Sequence, residues 1–562
     1  MTVGTLLTSP IDTILEVVTV KQATLTVVAA WTAWRLIRKW TTSDPLSIFP
    51  GPKSDSFLFG NVQKYFHAEA WDYHDYMIKT FPGVARLPSI MGSSMLIVQD
   101  PKALYHIIVK DQQIFEEPDD LITSNALLFG KGLISIVGEQ HRKQRKLLNP
   151  VFSIAHMKQM VPIFYDVTYK LRNSLRLQVS RGETEIDMLS WMSRTALELI
   201  GQSGLGTSFD SLEPDAAPDA YHYAVKNLMQ THISLSLPRS IFLPYVKNIG
   251  TPGFRRFVVD LLPWKKLHAL RDMVDVIHNT SVEIYERKRN ALEAGDEALR
   301  EQILQGKDII SILFKANMAA SVEDRLTEEE LLGQMSTFTF AAMDTTSNAL
   351  SRILLLLSEN PDVQERVRQE VLNAKQEHGE LLYDQLSYLP YLDAVCRETL
   401  RLHTPVTVTM RIPSQDIVLP FSRPFTTTEG KEITEAVIPA GTKVLVGLSA
   451  CNKDPLIWGP DSLEWKPERW LSPLPDSVVN ARIPGVYSNL MTFGGGSRAC
   501  IGFKFSQLEM KVVLAVLLES FKFTPTDKKI KWQWNGIAQP AVDKPGTGLP
   551  TLELPLNVSL IA

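Results

Sequence analysis

The ten residues F-G-G-G-S-R-A-C-I-G, numbered 493 to 502, place a single cysteine, Cys500, before an apolar segment. The segment predicts a helix that runs to about Phe521, with Cys500 at its N-terminus. Unpaired N–H groups and the helix dipole at that end favour an anion, and therefore the thiolate over the thiol. Phe493 adds an aromatic face, the glycines allow close approach to a flat partner, and Arg498 supplies a guanidinium suited to a carboxylate. Together these groups suit a haem held by an axial thiolate.

Other interpretations of Cys500 stay open at this point. A lone cysteine in an apolar segment is commonly a core residue, because a free thiol behaves as a small hydrophobe. Zinc needs clustered ligands, and the nearest other cysteine is Cys451. A phosphate loop needs a G-K-S or G-K-T sequence after the glycines, which is missing. A protease nucleophile needs a histidine and an acidic or amide partner, which the sequence leaves open.

Position by position, the loop resembles the haem-binding loop of the cytochrome P450 superfamily, F-G-x-G-x-R-x-C-x-G. The resemblance implies a mainly α-helical fold with small β-sheets, over about residue 46 to the end. It implies haem b (iron protoporphyrin IX) as the cofactor, with Cys500 as the axial iron ligand. Three further loop residues are implied to contact the cofactor, namely Phe493, Arg498 and Gly502.

Composition sets broad limits on the class of protein. The chain has 562 residues, 44% of them hydrophobic, which is enough to bury a large core in one domain or two. Its net charge of −4 gives no basic footprint for nucleic acid. Three cysteines are too few for a disulfide framework, so a reducing compartment is expected.

The N-terminal 45 residues are predicted to be a membrane anchor and linker, before a haem-thiolate domain over residues 46–562. The stretch from Val17 to Leu36 is apolar apart from Lys21 and Arg35, and is long enough to span a bilayer once. Basic residues follow it, so the main domain is expected on the cytosolic side. Resemblance to microsomal members implies the endoplasmic reticulum. A cleaved signal peptide and an interfacial amphipathic helix remain alternatives.

A long helix is predicted from a capping box at Thr327 and Glu330 to about Glu359, before Asn360-Pro361. At 1.5 Å per residue it is roughly 48 Å long. Its apolar centre is followed by an acid and three hydroxyl residues at positions 344–347. Such groups are costly inside a buried helix unless they are paired or functional. The alternative interpretation is that these four residues lie on the surface and face water.

The sequence A-A-M-D-T-T, residues 341–346, resembles the oxygen-activation motif of the same superfamily. The resemblance implies that Asp344 and Thr345 are the catalytic acid–alcohol pair that delivers protons, and that Ala341 opens a groove. Ala342 stands where glycine is most common, a departure that would narrow the groove.

A third motif is E-T-L-R, in which Glu398 and Arg401 lie on one face of a helix predicted to begin near Pro390. An isolated pair of this kind is often exposed and contributes little. Further along, P-E-R-W supplies Arg469 as a second cation. Resemblance implies a buried structural triad that fixes the cysteine loop without taking part in chemistry.

The segment G-E-Q-H-R-K-Q-R-K resembles the helix that holds a haem propionate. It implies contacts from Arg145 and from His141, which stands where tryptophan is usual; the alternative for His141 is an exposed polar residue. Arg411 falls at the position of another propionate contact. The other cations of the segment form either a docking face for an acidic electron donor or a solvated face; they are Arg142, Lys143 and Lys146.

The substrate pocket is implied by resemblance alone, and an apolar cavity is expected. Its predicted residues are Phe338, Ala341, Ala342, Val408 and Ile537. The aromatic and basic stretch from Ile241 to Trp264 has two interpretations, a surface that dips into the membrane or ordinary core with a basic rim.

The function that follows is a monooxygenase that inserts one oxygen atom from O₂ into a lipophilic small molecule. Electrons are expected from NADPH through a cytochrome reductase, with cytochrome b5 as a further partner. The sequence resembles fungal microsomal members, which suggests specialised metabolism, including that of terpenoids. The alternatives are a haem-thiolate isomerase or dehydratase that needs no reductase, and a haem-binding sensor. Neither needs the proton relay of Asp344 and Thr345.

Overall fold

The computed structural model describes residues 44–216, 219–294, 308–544 and 550–561. The predicted anchor, Val17 to Leu36, lies outside these residues. Within the described part of the chain, no helix combines the length and hydropathy needed to cross a bilayer.

Helices dominate the described residues, as the resemblance implies. In chain order they are α1 (Val62–Tyr65), α2 (Trp71–Thr80), α3 (Pro101–Tyr105), α4 (Asp119–Phe129), α5 (Gly138–Leu148), α6 (Ile154–Ser180), α7 (Met188–Ile200), α8 (Ala220–Ser234), α9 (Ser236–Val246), α10 (Pro252–Leu261), α11 (Lys265–Ala294), α12 (Ile309–Ala319), α13 (Glu328–Glu359), α14 (Pro361–His378), α15 (Tyr383–Ser387), α16 (Pro390–Leu402), α17 (Leu448–Lys453), α18 (Pro455–Trp458), α19 (Asp476–Ala481) and α20 (Phe503–Ser520).

Small sheets complete the fold. The strands are β1 (Val84–Pro88), β2 (Ser94–Val98), β3 (Phe115–Glu116), β4 (Glu185–Asp187), β5 (Val408–Pro413), β6 (Ile417–Thr426), β7 (Glu432–Ile438), β8 (Val444–Gly447), β9 (Phe521–Pro525), β10 (Ile530–Asn535), β11 (Ile537–Asp543), β12 (Pro550–Thr551) and β13 (Pro555–Leu560). The largest sheet has the order β1-β2-β8-β5-β3, in which β2 and β8 are parallel with Leu96 opposite Val444. The others are β10-β11-β12, β4-β13-β9 and the hairpin β6-β7. The mainly helical fold with small sheets is confirmed.

The central helix α13 has 32 residues and begins with the predicted capping box. Thr327 Oγ1 accepts from the N–H of Glu330, and the Glu330 side chain accepts from the N–H of Thr327. The helix ends at Glu359, where Pro361 starts α14. It packs against α7, α11, α16 and α20 and therefore runs through the core.

The cysteine lies outside the helix that follows it, which corrects the prediction of a helix N-terminus at Cys500. Helix α20 begins at Phe503 and ends at Ser520, close to the predicted end. The N–H of Cys500 donates to the carbonyl of Phe493 over 2.8 Å, which closes the loop. That bond commits the cysteine to a turn, three residues before the first helical residue.

The stretch from Ile241 to Trp264 is an exposed surface, so its interpretation as ordinary core is wrong. It forms α9 and α10, and α10 contains no buried side chain. The exposed fractions reach 60% at Phe242, 79% at Tyr245 and 67% at Leu261. We call the large apolar side chains of α9 and α10 the apolar surface.

Candidate haem-thiolate site

Cys500 is the one cysteine of the three whose side chain is exposed; Cys396 and Cys451 are buried. Burial by the surrounding protein nevertheless raises the pKa of its thiol. The N–H of Gly502 and the charge of Arg145 act in the opposite direction and favour the thiolate. By contrast, burial raises the pKa of Cys396 to about 12. Cys500 therefore has the access and the neighbours that a metal-bound thiolate requires.

Two glycines of the loop are required by contacts within the protein itself. Gly496 has φ of +64°, and a Cβ atom there would lie 1.7 Å from the carbonyl oxygen of Ile108. A Cβ atom on Gly495 would lie 2.1 Å from the carbonyl oxygen of Pro484. Contacts within the protein therefore require these two glycines. Of the other loop residues, Phe493 is half-buried and packs edge-on against Tyr487, with ring centroids 5.5 Å apart.

Four residues predicted to hold haem carboxylates line one cavity of about 430 Å³. They are His141, Arg145, Arg411 and Arg498. Arg145 Nη1 donates to the Ala499 carbonyl over 2.6 Å, and Arg498 Nη2 donates to the Ile136 carbonyl over 2.7 Å. Helix α5 is thereby tied to the residue that precedes Cys500.

This cavity is positively charged, because Arg142 and Lys146 also line it, together with the acid Glu116. Glu117 lies between two of the arginines, 3.4 Å from Arg411 and 3.5 Å from Arg498. His141 is 5% exposed, so its interpretation as an exposed residue is wrong. Burial and then the three arginines lower its pKa to about 3, so it stays neutral and has one N–H to donate. With an accessible thiol beside a cationic cavity, the residues fit a haem with two propionates.

Asp344 is buried in a polar cluster, and the interpretation that residues 344–347 face water is wrong. Its carboxylate is 3.1 Å from Lys226 Nζ of α8 and 3.0 Å from Gln539 Nε2 of β11. Asn348, one turn further along α13, donates to the Asp344 carbonyl over 2.6 Å. Sequence reasoning missed Lys226 and Gln539, because they lie 118 and 195 residues from Asp344 and belong to no motif.

Thr345 is half-buried on a face of α13 that is more open than the rest of the helix. Its hydroxyl donates to the carbonyl of Ala341 over 2.7 Å, a bond that threonine commonly makes within a helix. Ala341 is exposed and Ala342 is half-buried, although their helix is buried along most of its length. Phe338 is 5% exposed and packs edge-on against Phe152, with centroids 5.7 Å apart. Of the other predicted pocket residues, Val408 is half-buried and Ile537 is buried.

Glu398 and Arg401 form an ion pair in which both side chains are fully buried, so their interpretation as an exposed pair is wrong. Arg401 donates to the two carboxylate oxygens over 2.9 and 2.8 Å, and Arg469 lies 3.4 Å from Glu398. Trp470 Nε1 and the N–H of Lys466 also donate to this carboxylate, each over 3.0 Å. The predicted three residues are therefore brought together, with two donors that sequence reasoning missed.

The pair is connected to the cysteine loop through Asn452. Arg401 Nη1 donates to the Asn452 carbonyl over 2.9 Å. The Asn452 side chain accepts from the N–H of Met491 over 2.7 Å and donates to Thr492 Oγ1 over 2.9 Å. Because Met491 and Thr492 directly precede Phe493, this chain of bonds holds the start of the loop.

A buried histidine of α8 contacts α4. His232 Nε2 lies 2.7 Å from Ser124 Oγ and in contact with Arg239, and burial followed by the Arg239 charge lowers the pKa of His232 to about 3. An unfolded histidine binds its proton near pH 6.5, so the folded state loses stability as pH falls from there towards 3. We expect His232→Gln to reduce the loss of unfolding free energy between pH 8 and pH 5 by about 2 kcal/mol in denaturant titrations. The exposed His378 provides the control, because His378→Gln should leave the pH dependence unchanged.

Comparison with known proteins identifies the family. A family model described as Cytochrome P450 matches residues 50–543. Cytochrome P450 monooxygenase 91 of Postia placenta is 51% identical over 531 residues, which cover 94% of this chain and 97% of the relative. A ganoderic acid synthetase of Ganoderma lucidum is 43% identical, over 92% of this chain and 95% of its own length. The chain therefore belongs to the cytochrome P450 family and is a monooxygenase of that family.

Proposed function

We propose that this protein oxidises a lipophilic terpenoid in fungal specialised metabolism, with Cys500 as the axial ligand of haem b. The observation that carries the cofactor assignment is the accessible thiol beside a cavity lined by four arginines. The bound haem supplies activation of O₂ and transfer of one oxygen atom to the substrate. Support for the substrate class comes from the relative named for ganoderic acid synthesis.

The test of this function is reconstitution with NADPH and a cytochrome reductase. A panel of terpenoid scaffolds, with fatty acids and simple aromatics as comparison classes, would be followed by mass spectrometry. We expect a product that is one oxygen atom heavier, formed only from the terpenoids and only with NADPH. Product that forms without NADPH would support the isomerase or dehydratase instead.

The chain's own residues divide into binding and proton-handling groups. Arg145, Arg411, Arg498 and neutral His141 bind and orient the two haem carboxylates. Asp344 places a carboxylate inside α13, and Lys226 Nζ contacts this carboxylate over 3.1 Å and fixes its position. Thr345 presents a hydroxyl one residue further along, on the open face of the helix. Substitution of Asp344 or Thr345 should therefore change how NADPH electrons are used before it weakens the binding of haem.

Thr345→Ala is expected to uncouple NADPH consumption from product formation. Positioned proton transfer contributes about 10²–10⁴-fold, so product should fall far more than NADPH consumption, with hydrogen peroxide released instead. Asp344→Asn should slow the whole cycle, because the donor itself is lost. The measurement is the ratio of product to NADPH consumed, with peroxide quantified. Thr346→Ala is the matched control, since Thr346 is buried at 3% exposure beside it. An unchanged ratio in Thr345→Ala would reduce Thr345 to a helix residue.

We also propose that the enzyme is a single-pass protein of the endoplasmic reticulum membrane that faces the cytosol. The apolar surface of α9 and α10 supports a second contact with lipid. The exposed cations of α5 support docking of the reductase and of cytochrome b5; Arg142 is 65% and Lys146 is 72% exposed.

Removal of residues 1–40 should weaken binding to phospholipid vesicles and leave haem uptake intact. The apolar surface should retain part of the binding, because its side chains still enter the interface. Adding Phe242→Ser, Tyr245→Ser and Phe257→Ser to the truncated chain should abolish the remainder in flotation assays. Tyr388→Ser removes an aromatic ring that is 83% exposed elsewhere, and should change nothing. If the truncated chain did not take up haem, the removed segment would instead belong to the core.

A further inference from the structure

A small polar cavity lies between α13, the loop after α16 and the strands β10 and β11. Its volume is about 10 Å³, which is room for one water molecule or one monatomic ion. It is separate from the arginine-lined cavity, with which it shares no lining residue. Its polar lining residues include Asn348, Arg352, His403, Thr404, Thr407 and Trp532.

The wall of this cavity has four unpaired hydrogen-bond donors and one unpaired acceptor, Asn348 Oδ1. Four buried donor atoms have no hydrogen-bond partner among the described residues: Arg352 Nε, Thr404 Oγ1, Thr407 Oγ1 and Trp532 Nε1. Arginine and indole N–H groups only donate, whereas the hydroxyls can also accept. Native proteins leave few buried polar groups unpaired, so four around one cavity indicate an occupant that accepts several hydrogen bonds. A water molecule accepts about two, and an anion accepts more.

The wall also carries the positive charge of Arg352, whose side chain is half-buried. The guanidinium carbon of Arg352 lies 3.3 Å from the centroid of the Trp532 ring. Within the described ranges, no carboxylate forms an ion pair with this guanidinium, and Glu359 acts on it only through space. Burial lowers the pKa of Arg352, and burying a cation without a counter-ion is costly. Burial, and then the positive charges of Arg352, Lys453 and Arg401, hold the pKa of His403 well below its ordinary value.

We propose that this cavity binds a single monatomic anion of the size of chloride. Arg352 Nε and Trp532 Nε1 donate to it, with the two threonine hydroxyls completing the shell. The site adjoins the proton-handling cluster, because Asn348 lines the cavity and also donates to Asp344 Oδ1 over 3.3 Å. The inference depends on the cavity alone and stands whether or not the proposed substrate is correct.

The first test locates the ion directly. Crystals of the full haem-loaded chain are soaked in bromide, whose anomalous scattering marks its position. We expect a peak in the cavity of the wild-type protein and a weakened or absent peak in Trp532→Phe, which keeps an aromatic ring but loses the N–H. Trp534→Phe is the matched control, because Trp534 Nε1 is also buried and unpaired but lies outside the cavity. Density for a water molecule without a bromide peak would overturn the proposal.

The second test shows whether the ion binds in solution. Chloride should raise the thermal midpoint of the haem-loaded protein relative to gluconate, by about 2 °C at a concentration one hundred times its dissociation constant. Arg352→Gln and Trp532→Phe should each remove this increase, and Trp534→Phe should keep it. If Arg352→Gln does not fold, Trp532→Phe still decides the result. A bromide peak without any chloride effect in solution, or an increase that survives in Trp532→Phe, would contradict the assignment.

Discussion

Replacement of Cys500 by serine is expected to abolish product formation and to remove the long-wavelength Soret band of the reduced carbonyl complex. That band depends on electron donation from a thiolate, and a serine hydroxyl stays protonated and donates far less. The same donation favours O–O cleavage, so the loss of turnover should be complete and should accompany the spectral change. Absorbance of the carbonyl complex and product formation would be measured on the same preparation.

Cys396→Ala is the control for this experiment. Cys396 is 2% exposed, and burial keeps its thiol protonated by raising its pKa to about 12. The variant should lose some stability through the small cavity it creates, but it should keep the band. A Cys500→Ser protein that retains the thiolate-type band would assign the ligand to another residue.

Arg401→Lys is expected to destabilise the fold by about 3–5 kcal/mol, although it preserves the charge. Lysine is a compact ammonium that cannot form the two parallel bonds to Glu398. It also cannot replace the donors that reach the carbonyls of Asn452 over 2.9 Å and Ser462 over 2.7 Å. Yield, haem content and denaturant unfolding would each report the loss.

Arg397→Lys is the matched variant on the same helix. Arg397 pairs with Asp393 at the i,i+4 spacing, and its side chain is 34% exposed against 0% for Arg401. Partly exposed pairs contribute less than about 1 kcal/mol, so this variant should be close to wild type. If Arg401→Lys and Arg397→Lys lowered the free energy of unfolding equally, the burial of Arg401 would not matter to the stability of the fold.

The sequence was sufficient for features that depend on neighbouring residues. The bounds of α13 follow from a capping box and a proline stop, and those of α16 from a proline start and an apolar stripe. The same local logic failed at Cys500, because a backbone bond to Phe493 keeps the cysteine out of α20. Loop closure competes with helix propagation there, and the residue pattern does not show which is favoured.

Features that depend on distant segments were not predictable from the sequence. Nothing near Lys226 indicates that it meets Asp344, since the contact depends on how α8 crosses α13. The choice between core and surface for α9 and α10 likewise depended on packing, because amphipathic segments with many aromatic residues suit either environment. The family resemblance predicted the cations around the arginine-lined cavity. Glu117, which partly neutralises these cations, belongs to no motif and could not be predicted.

The contacts of Gly495 and Gly496 mean that these two glycines do not by themselves indicate haem chemistry. Because the Pro484 and Ile108 carbonyl oxygens exclude a side chain at these positions, the glycines are needed for the backbone to close even before any cofactor arrives. A descendant of this gene that had lost its chemistry would keep both glycines for as long as it still folded. Among relatives of this chain, whose shared pattern leaves position 495 open, Gly496 therefore serves as a marker of shared architecture, and the cysteine and the arginines are the positions at which lost activity should first appear.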